Sequence, residues 1–428
     1  MELFRQREMR ENYLSLSKEI DLRAWRLYVF GHTDATGYLI SMVKDSGCTI
    51  RGILDNNKAK QGKYMAGVPI MPPQELCRNS TDLTIVFVTS RAYAAMMLQL
   101  KELGFSGRVV KLVDYDTFAE YDLSLDTITR RMEREKRGER LLERLRGESR
   151  CEFLVVCPFQ AVGDVYYAMK YLRAFQRKEK IGSISVVVVG DSCAEVVKLF
   201  YDMPVFSLEQ REMDELVQAV LYTQSKKAFI VHHDRPYSNY MIRLLRKQLI
   251  HFSSLYKVGI YGLLEGDDEK KPCFRQDCTW DEVPRGSSVV LMPYAKSVLN
   301  LPKERWGDIA KVLQAKGYTV FSNVRGMEPP IIGTHVLRNV PLSNMQSLME
   351  WAGGFIAIRS GLCDILQEAE CRKIVLYPDA CYSDTPWQVV QFFGLPGCDN
   401  VIFKNDGGWE LYDRGRNRSF DFAKDLDF

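Results

Sequence analysis

Short, mostly apolar runs recur along this chain, many of them followed by a polar turn and a stretch long enough for a helix. Residues 27–30, 49–54, 84–88 and 108–112 form one series, with helix-like stretches ending near residue 44 and covering 92–103. A run that is apolar throughout, rather than alternating, suits a strand buried on both faces, and crossover helices over a parallel sheet create that environment. The series restarts at 153–157, 184–189 and 228–231, with helices expected over 164–177 and 238–251. It restarts again at 289–292, with a helix over 303–316 and strands at 318–321, 355–358 and 374–376. The expectation is an α/β protein with several mostly parallel sheets. With 428 residues there is room for two or three domains. We expect a small α/β domain at 1–118, a helical linker at 119–150, and further α/β domains at 151–282 and 283–428.

The linker stands out by charge. Residues 127–150 carry nine basic and five acidic side chains around a few Leu, Ile and Met, and high Glu/Arg content favours a helix. A solvated connecting helix with one apolar edge is expected. Over the whole chain Lys plus Arg is 58 against 55 Asp plus Glu. A nucleic-acid partner would therefore have to show itself as a local basic patch, and no nucleic acid is expected. The 11 cysteines include no CxxC and the 5 histidines no HExxH, so reduced structural thiols and no metal site are expected. The first twenty residues are too charged for a signal peptide, and no apolar run approaches the length of a membrane span. A cytoplasmic protein is expected, working at the inner face of the membrane if it touches one.

Chemistry concentrates at strand-to-helix junctions, where open α/β sheets bind ligands. The first junction of the second series contains Gly163 and Asp164. Gly163 suits a tight turn. Asp164, at a helix start, can accept a proton or serve only as an N-cap. In the third series, Lys296 follows the first strand, and Arg359, Ser360 and Gly361 follow a later one, with Asp364 one turn on. Arg359 and Lys296 beside a helix start could hold a diphosphate; alternatively Arg359 pairs with Asp364 or another carboxylate.

Residues 235–264 contain no acid, but have Arg235, Arg243, Arg246, Lys247 and Lys257 among Tyr237, Tyr240, Phe252, Tyr256 and Tyr261. On a helix Tyr240 and Arg243 share one side. Such a mixture suits an anionic lipid-linked acceptor or peripheral contact with an anionic membrane, or else a helix with snorkelling Arg on an exposed face. His232 and His233 point opposite ways if extended, so one of them lines the cleft at most. No GxGxxG, Walker A or GxSxG sequence is present, although Asp55 ends the second strand where a ribose-binding acid could sit.

Two long segments resemble a known family. VVCPFQAVGDVYYAMKYLRAFQ resembles the opening of bacterial heptosyltransferase-like glycosyltransferases, and PYAKSVLNLPKERWGDIAKVLQAKGYTVF resembles the start of their second domain. VPLSNMQSLMEWAGGFIAIRSGLCDILQEAECRKIVLYP resembles the stretch ending at their donor-side Ser/Thr-Gly. The resemblance covers about 151–400. It implies two facing Rossmann-like domains, the GT-B type glycosyltransferase architecture, here preceded by a small Rossmann-like domain. It also implies a nucleotide-sugar donor, a cell-surface polysaccharide or lipid-linked glycan acceptor, inversion, and no cofactor or required metal.

Carried over singly, Asp164 falls on the family's general base, Gly163 on its turn glycine, and Ser360 and Gly361 on its donor-side pair. Arg359 stands where that family has an acidic residue, and Asp364 where it has a histidine. The acceptor-side group is Gly163, His232, Tyr240 and Arg243; the donor-side group is Lys296, Arg359, Ser360, Gly361 and Asp364. VFGHTDATGYLISMVKDSGCTIRGILDNNKAKQGKYMAGVPIMPPQEL resembles the Rossmann-like module of sugar-modifying acyltransferases, which implies a docking or auxiliary domain. The alternative to an enzyme is a non-catalytic sugar-nucleotide-binding or scaffolding protein of the same pathway.

Overall fold

The computed structural model describes the chain apart from residues 1–2, 33, 59, 79–81, 91–92, 114–124, 232–246, 265, 267, 277–278, 296–297, 299, 327, 383–384, 405, 414–415 and 427. Two compact units make up the chain, residues 1–132 and 133–428.

The first unit opens with helix α1 (Leu3–Glu19) and alternates thereafter: β1 (Arg26–Phe30), α2 (Asp34–Asp45), β2 (Ile50–Leu54), β3 (Tyr64–Met65), β4 (Val68–Met71), α3 (Pro73–Arg78), β5 (Thr84–Val88), α4 (Tyr93–Glu102) and β6 (Arg108–Lys111). The strands make one sheet in the order β3-β4-β2-β1-β5-β6, parallel except for the β3–β4 pair. Asp55, at the end of β2, spends its carboxylate on local structure. Its Oδ2 accepts the backbone N–H of His32 at 3.0 Å and its Oδ1 that of Asn57 at 2.8 Å, tying together the turns after β1 and β2.

Helix α5 (Leu125–Ser149) leads into the second unit. It does not stand in solvent along its length. Leu141, Leu142 and Leu145 are buried in the same apolar cluster as Leu216 and Val217 of α8 (Gln210–Tyr222), and Arg137 Nε donates to Glu215 at 2.8 Å. Gly138 lies against the Glu215 carbonyl, where any side chain would strike backbone. The helix thus has the apolar edge expected of it, with its charged residues forming an outer face and a clamp on α8.

The second unit carries two sheets. β7 (Phe153–Val156), α6 (Val162–Lys178), β8 (Ile184–Val189), α7 (Asp191–Phe200), β9 (Val205–Leu208), α8 and β10 (Ala228–Ile230) give an all-parallel sheet ordered β10-β7-β8-β9. All six residues of β8 are buried, which accounts for its unbroken valine run. A short helix α9 (Phe252–Ser254) and a π-helical turn (Leu255–Ile260) follow. The third sheet is built from β11 (Ser288–Met292), α10 (Lys303–Ala315), β12 (Thr319–Val324), β13 (His335–Arg338), α11 (Leu342–Ala352), β14 (Gly353–Ile358), α12 (Gly361–Ile365), β15 (Arg372–Pro378), α13 (Val389–Phe393), β16 (Asp399–Phe403), β17 (Trp409–Leu411) and β18 (Arg418–Ser419). Its order is β13-β12-β11-β14-β15-β16-β17-β18, parallel through β16.

In both sheets the chain steps from the first strand to one side and returns on the other, so each has a topological switch point. In the third sheet this lies between β11 and β14; in the second, between β7 and β10. Ligands of open α/β sheets bind beyond strand C-termini at such points. One apolar core runs through both sheets, from Val155 and Val186 to Phe355 and Val375. The second unit is two Rossmann-like α/β domains that share one core. No described helix is long and apolar enough to cross a membrane, and among the described cysteine side chains none forms a disulfide.

Candidate active site

The two switch points meet. Leaving β7, the chain passes Cys157 and enters α6 at Val162; leaving β14, it passes Arg359 and Ser360 and enters α12 at Gly361. A Cβ on Gly361 would strike the backbone N of Gly163 and come within 2.8 Å of Val162 Cγ2, and one on Gly163 would come within 2.6 Å of Asp364 Oδ2. Only glycine permits that approach, so this pair fixes how closely the two helix starts dock.

Asp164 is the third residue of α6, not its cap. The N-cap is Ala161, which makes no side-chain hydrogen bond. The half-buried Asp164 carboxylate accepts a hydrogen bond from Tyr256 Oη at 2.6 Å, and burial pushes its pKa up to about 6. The Tyr256 hydrogen bond and the nearby Arg359 charge act against that rise, and the neighbouring Asp364 charge adds to it. A carboxyl whose pKa is raised toward neutrality by partial burial is the kind of group that exchanges protons at working pH.

Across the contact, Arg359 and Asp364 form a buried ion pair. Arg359 is 4% and Asp364 1% exposed, with Nη2 2.8 Å from Oδ1. Tyr167 Oη also donates to Asp364 Oδ1, at 3.1 Å, while Oδ2 has no hydrogen-bond partner among the described residues. Burial raises the Asp364 pKa, opposed by the Arg359 charge and both hydrogen bonds. The rest of the Arg359 guanidinium is also engaged: Nε donates to the Phe393 carbonyl at 3.1 Å, Nη1 donates to the Ser360 carbonyl, and the group lies 4.9 Å from the Phe393 ring centroid. Of the two arrangements open for Arg359 in the sequence, pairing with Asp364 is the one observed. Ser360 caps α12 without a side-chain hydrogen bond, and α12 is only five residues long, so its dipole is small.

The structure therefore brings Gly163, Asp164, Arg359, Ser360, Gly361 and Asp364 together. Lys296, His232, Tyr240 and Arg243 lie outside the described residues, as does most of the helix expected over 238–251; residues 247–251 form turn and irregular backbone. Three of the five aromatic residues of the acid-free stretch are not at a surface. Phe252, Tyr256 and Tyr261 are 6%, 0% and 1% exposed, packed in the core between the sheets. Lys257 is 3.5 Å from Glu269 and faces the Tyr171 ring. A missing acid in sequence left these rings looking interfacial, but the acids and apolar neighbours that enclose them come from distant segments. Tyr167 is a site group that the sequence did not single out, and Tyr256 was marked only as part of an interfacial stretch; no local signal placed either beside a carboxylate. Among the described residues, no group of three or more His, Cys, Asp or Glu is placed to hold a metal ion.

No family model matches this chain, and no curated protein matches it by sequence. Solved structures resemble it in part. A family 9 glycosyl transferase from Veillonella parvula is 13% identical over 59% of this chain and 85% of its own, with a TM-score of 0.41. The Escherichia coli ADP-heptose lipopolysaccharide heptosyltransferase II is 11% identical over 60% of this chain and 92% of its own, at 0.42. The iron-containing dodecameric heptosyltransferase TibC, from enterotoxigenic E. coli and solved with ADP-D-β-D-heptose, is 15% identical over 56% and 62%, at 0.37. None of these likenesses is to an acyltransferase module. The likeness is partial.

Proposed function

We propose that the chain is a glycosyltransferase that moves a sugar from a nucleotide-sugar donor to a glycan or lipid-linked acceptor, with inversion and without a required metal. The observation that carries this reading is Asp164: a carboxyl at the C-terminal end of a parallel sheet, raised to about 6 by burial and hydrogen-bonded by Tyr256. At pH 7 such a group is ionised roughly ten to one, yet is a far better proton acceptor than an ordinary carboxylate. The acceptor oxygen forms a bond to the anomeric carbon as its proton passes to Asp164. The bond from that carbon to the donor phosphate breaks, and the nucleoside diphosphate leaves with the electron pair. Lys296 and the Ser360–Gly361 start serve the diphosphate, with His232, Tyr240 and Arg243 on the acceptor side. Arg359 joins them only by giving up Asp364. Metal independence is supported by the residue pattern: no Asp-x-Asp pair ends a strand in 288–398, and cations at the donor side can offset the leaving charge. Residues 1–118 act as an auxiliary domain.

A second reading, a non-catalytic sugar-nucleotide-binding or scaffolding protein, is favoured by the glycine-to-glycine contact and by the buried pairing of Arg359 with Asp364. Calorimetry with a panel of sugar nucleotides, followed by single-turnover assays with chelator present, separates the two. Binding with transfer that Asp164→Asn abolishes supports the enzyme. Binding without transfer on any acceptor supports the scaffold. Transfer lost on chelation and restored by a divalent ion overturns the metal-free mechanism.

A further inference from the structure

Tyr256 reaches the site from a part of the chain ninety-two residues beyond Asp164 and is wholly buried. Its backbone belongs to a π-helical turn, Leu255–Ile260, an uncommon geometry that recurs at functional sites. The ring is held on several sides. It stacks on Tyr167 with centroids 6.1 Å apart and 25° between planes, and meets Phe252 and Phe159 edge-on at 5.5 and 6.5 Å. A ring so enclosed has little freedom to turn its hydroxyl away from Asp164.

We propose that Tyr256 is the positioning residue of the site, its hydroxyl clamping Asp164 Oδ1 so that Oδ2 alone faces the incoming proton. This rests on the reading of Asp164 as a base, but concerns which group orients it. The π turn has a role in this arrangement: the extra residue per turn carries the ring under α6 while Tyr261, later in the same segment, donates to the Ala168 carbonyl at 3.0 Å. Among the described residues, the titratable groups around Asp164 are Tyr256 from the π turn, Cys157 from the end of β7, and Arg359 and Asp364 from the β14–α12 junction. Of these, Tyr256 is the one whose side chain donates a hydrogen bond to the carboxylate. A phenol that donates to a carboxylate favours its charged form.

The test follows the Asp164 carboxyl by its side-chain ¹³C signal in the full chain, assigned with Asp164→Asn, across pH 4–9. Tyr256→Phe removes the hydroxyl and keeps the ring, so the midpoint is expected to rise by about one to two pH units. Tyr261→Phe, which removes a buried hydroxyl from the same segment without touching Asp164, is expected to leave it in place. In the wild-type chain the Tyr256 ring ¹³Cζ signal should follow the Asp164 midpoint, and this transition should vanish in Asp164→Asn; that measurement holds even if Tyr256→Phe folds poorly. An unmoved midpoint in Tyr256→Phe, an equal shift in Tyr261→Phe, or a Tyr256 signal indifferent to Asp164 overturns the proposal. Where a donor and acceptor support turnover, the acid limb of kcat/KM should move with the carboxyl midpoint. A moved carboxyl midpoint in a protein that transfers no sugar leaves Tyr256 in its role and removes the enzyme reading. Turnover with an unmoved midpoint does the reverse.

Discussion

Replacing Asp164 by Asn removes a charge that burial disfavours, and the consequence for stability depends on pH in a way that can be worked out. The folded pKa is about 6 against an ordinary 3.8. Below about pH 4 the group is protonated in both folded and unfolded chains and contributes nothing. Between about 4 and 6 the fold retains a proton that the unfolded chain releases, so stability falls as pH rises. Above about 6 the loss is complete. A rise of roughly two pKa units corresponds to about 3 kcal/mol, and because the carboxyl is only half-buried, water on its open side trims this to about 2. Asn keeps the shape and still accepts from Tyr256, so Asp164→Asn should match the wild type near pH 4. It should be more stable by about 2 kcal/mol near pH 7.5. Burial raises the Asp364 pKa too and gives the wild type a slope of the same sign. Subtracting the variant's curve from the wild-type curve isolates Asp164 and its coupling to Asp364. Urea unfolding at pH 4.5, 6 and 7.5 measures the difference. A variant less stable than wild type at pH 7.5, or a difference that does not change with pH, refutes the reasoning: the carboxylate would then be stabilising and no base held at a cost.

Gly361→Ala should destabilise the second unit by about 1–3 kcal/mol, because its Cβ meets Gly163 backbone that cannot yield; Gly307→Ala, in α10 with nothing within 4 Å, should stabilise slightly in the same denaturation assay. Arg359→Ala should cost about 3–5 kcal/mol by stranding Asp364 in the core. The double variant Arg359→Met with Asp364→Leu should recover most of that, read by urea unfolding. Phe252→Ala should cost about 3–5 kcal/mol in stability and leave flotation with anionic liposomes unchanged, because the ring is in the core and not at a surface.

What the sequence determined by itself is what depends on near neighbours. Strands such as β8 and β11 were legible because burial on both faces demands an unbroken apolar run, and the helices between them because their polar and apolar residues recur at helical spacing. The junction residues Gly163, Asp164, Ser360 and Gly361 could be placed at strand ends for the same reason. Tertiary structure alone decided the rest. The Asp164–Tyr256 and Tyr167–Asp364 hydrogen bonds join residues 92 and 197 apart, and no local pattern encodes such a pairing. Arg359 and Asp364 are five residues apart, so their pairing could be weighed, but its burial depends on the sheets around it. The rings of Phe252, Tyr256 and Tyr261 changed character because aromatic content describes a segment's composition, whereas solvent exposure is set by whatever packs against it. The pKa of Asp164 belongs to that second class, since desolvation is a property of the assembled fold and not of an Asp after a Gly.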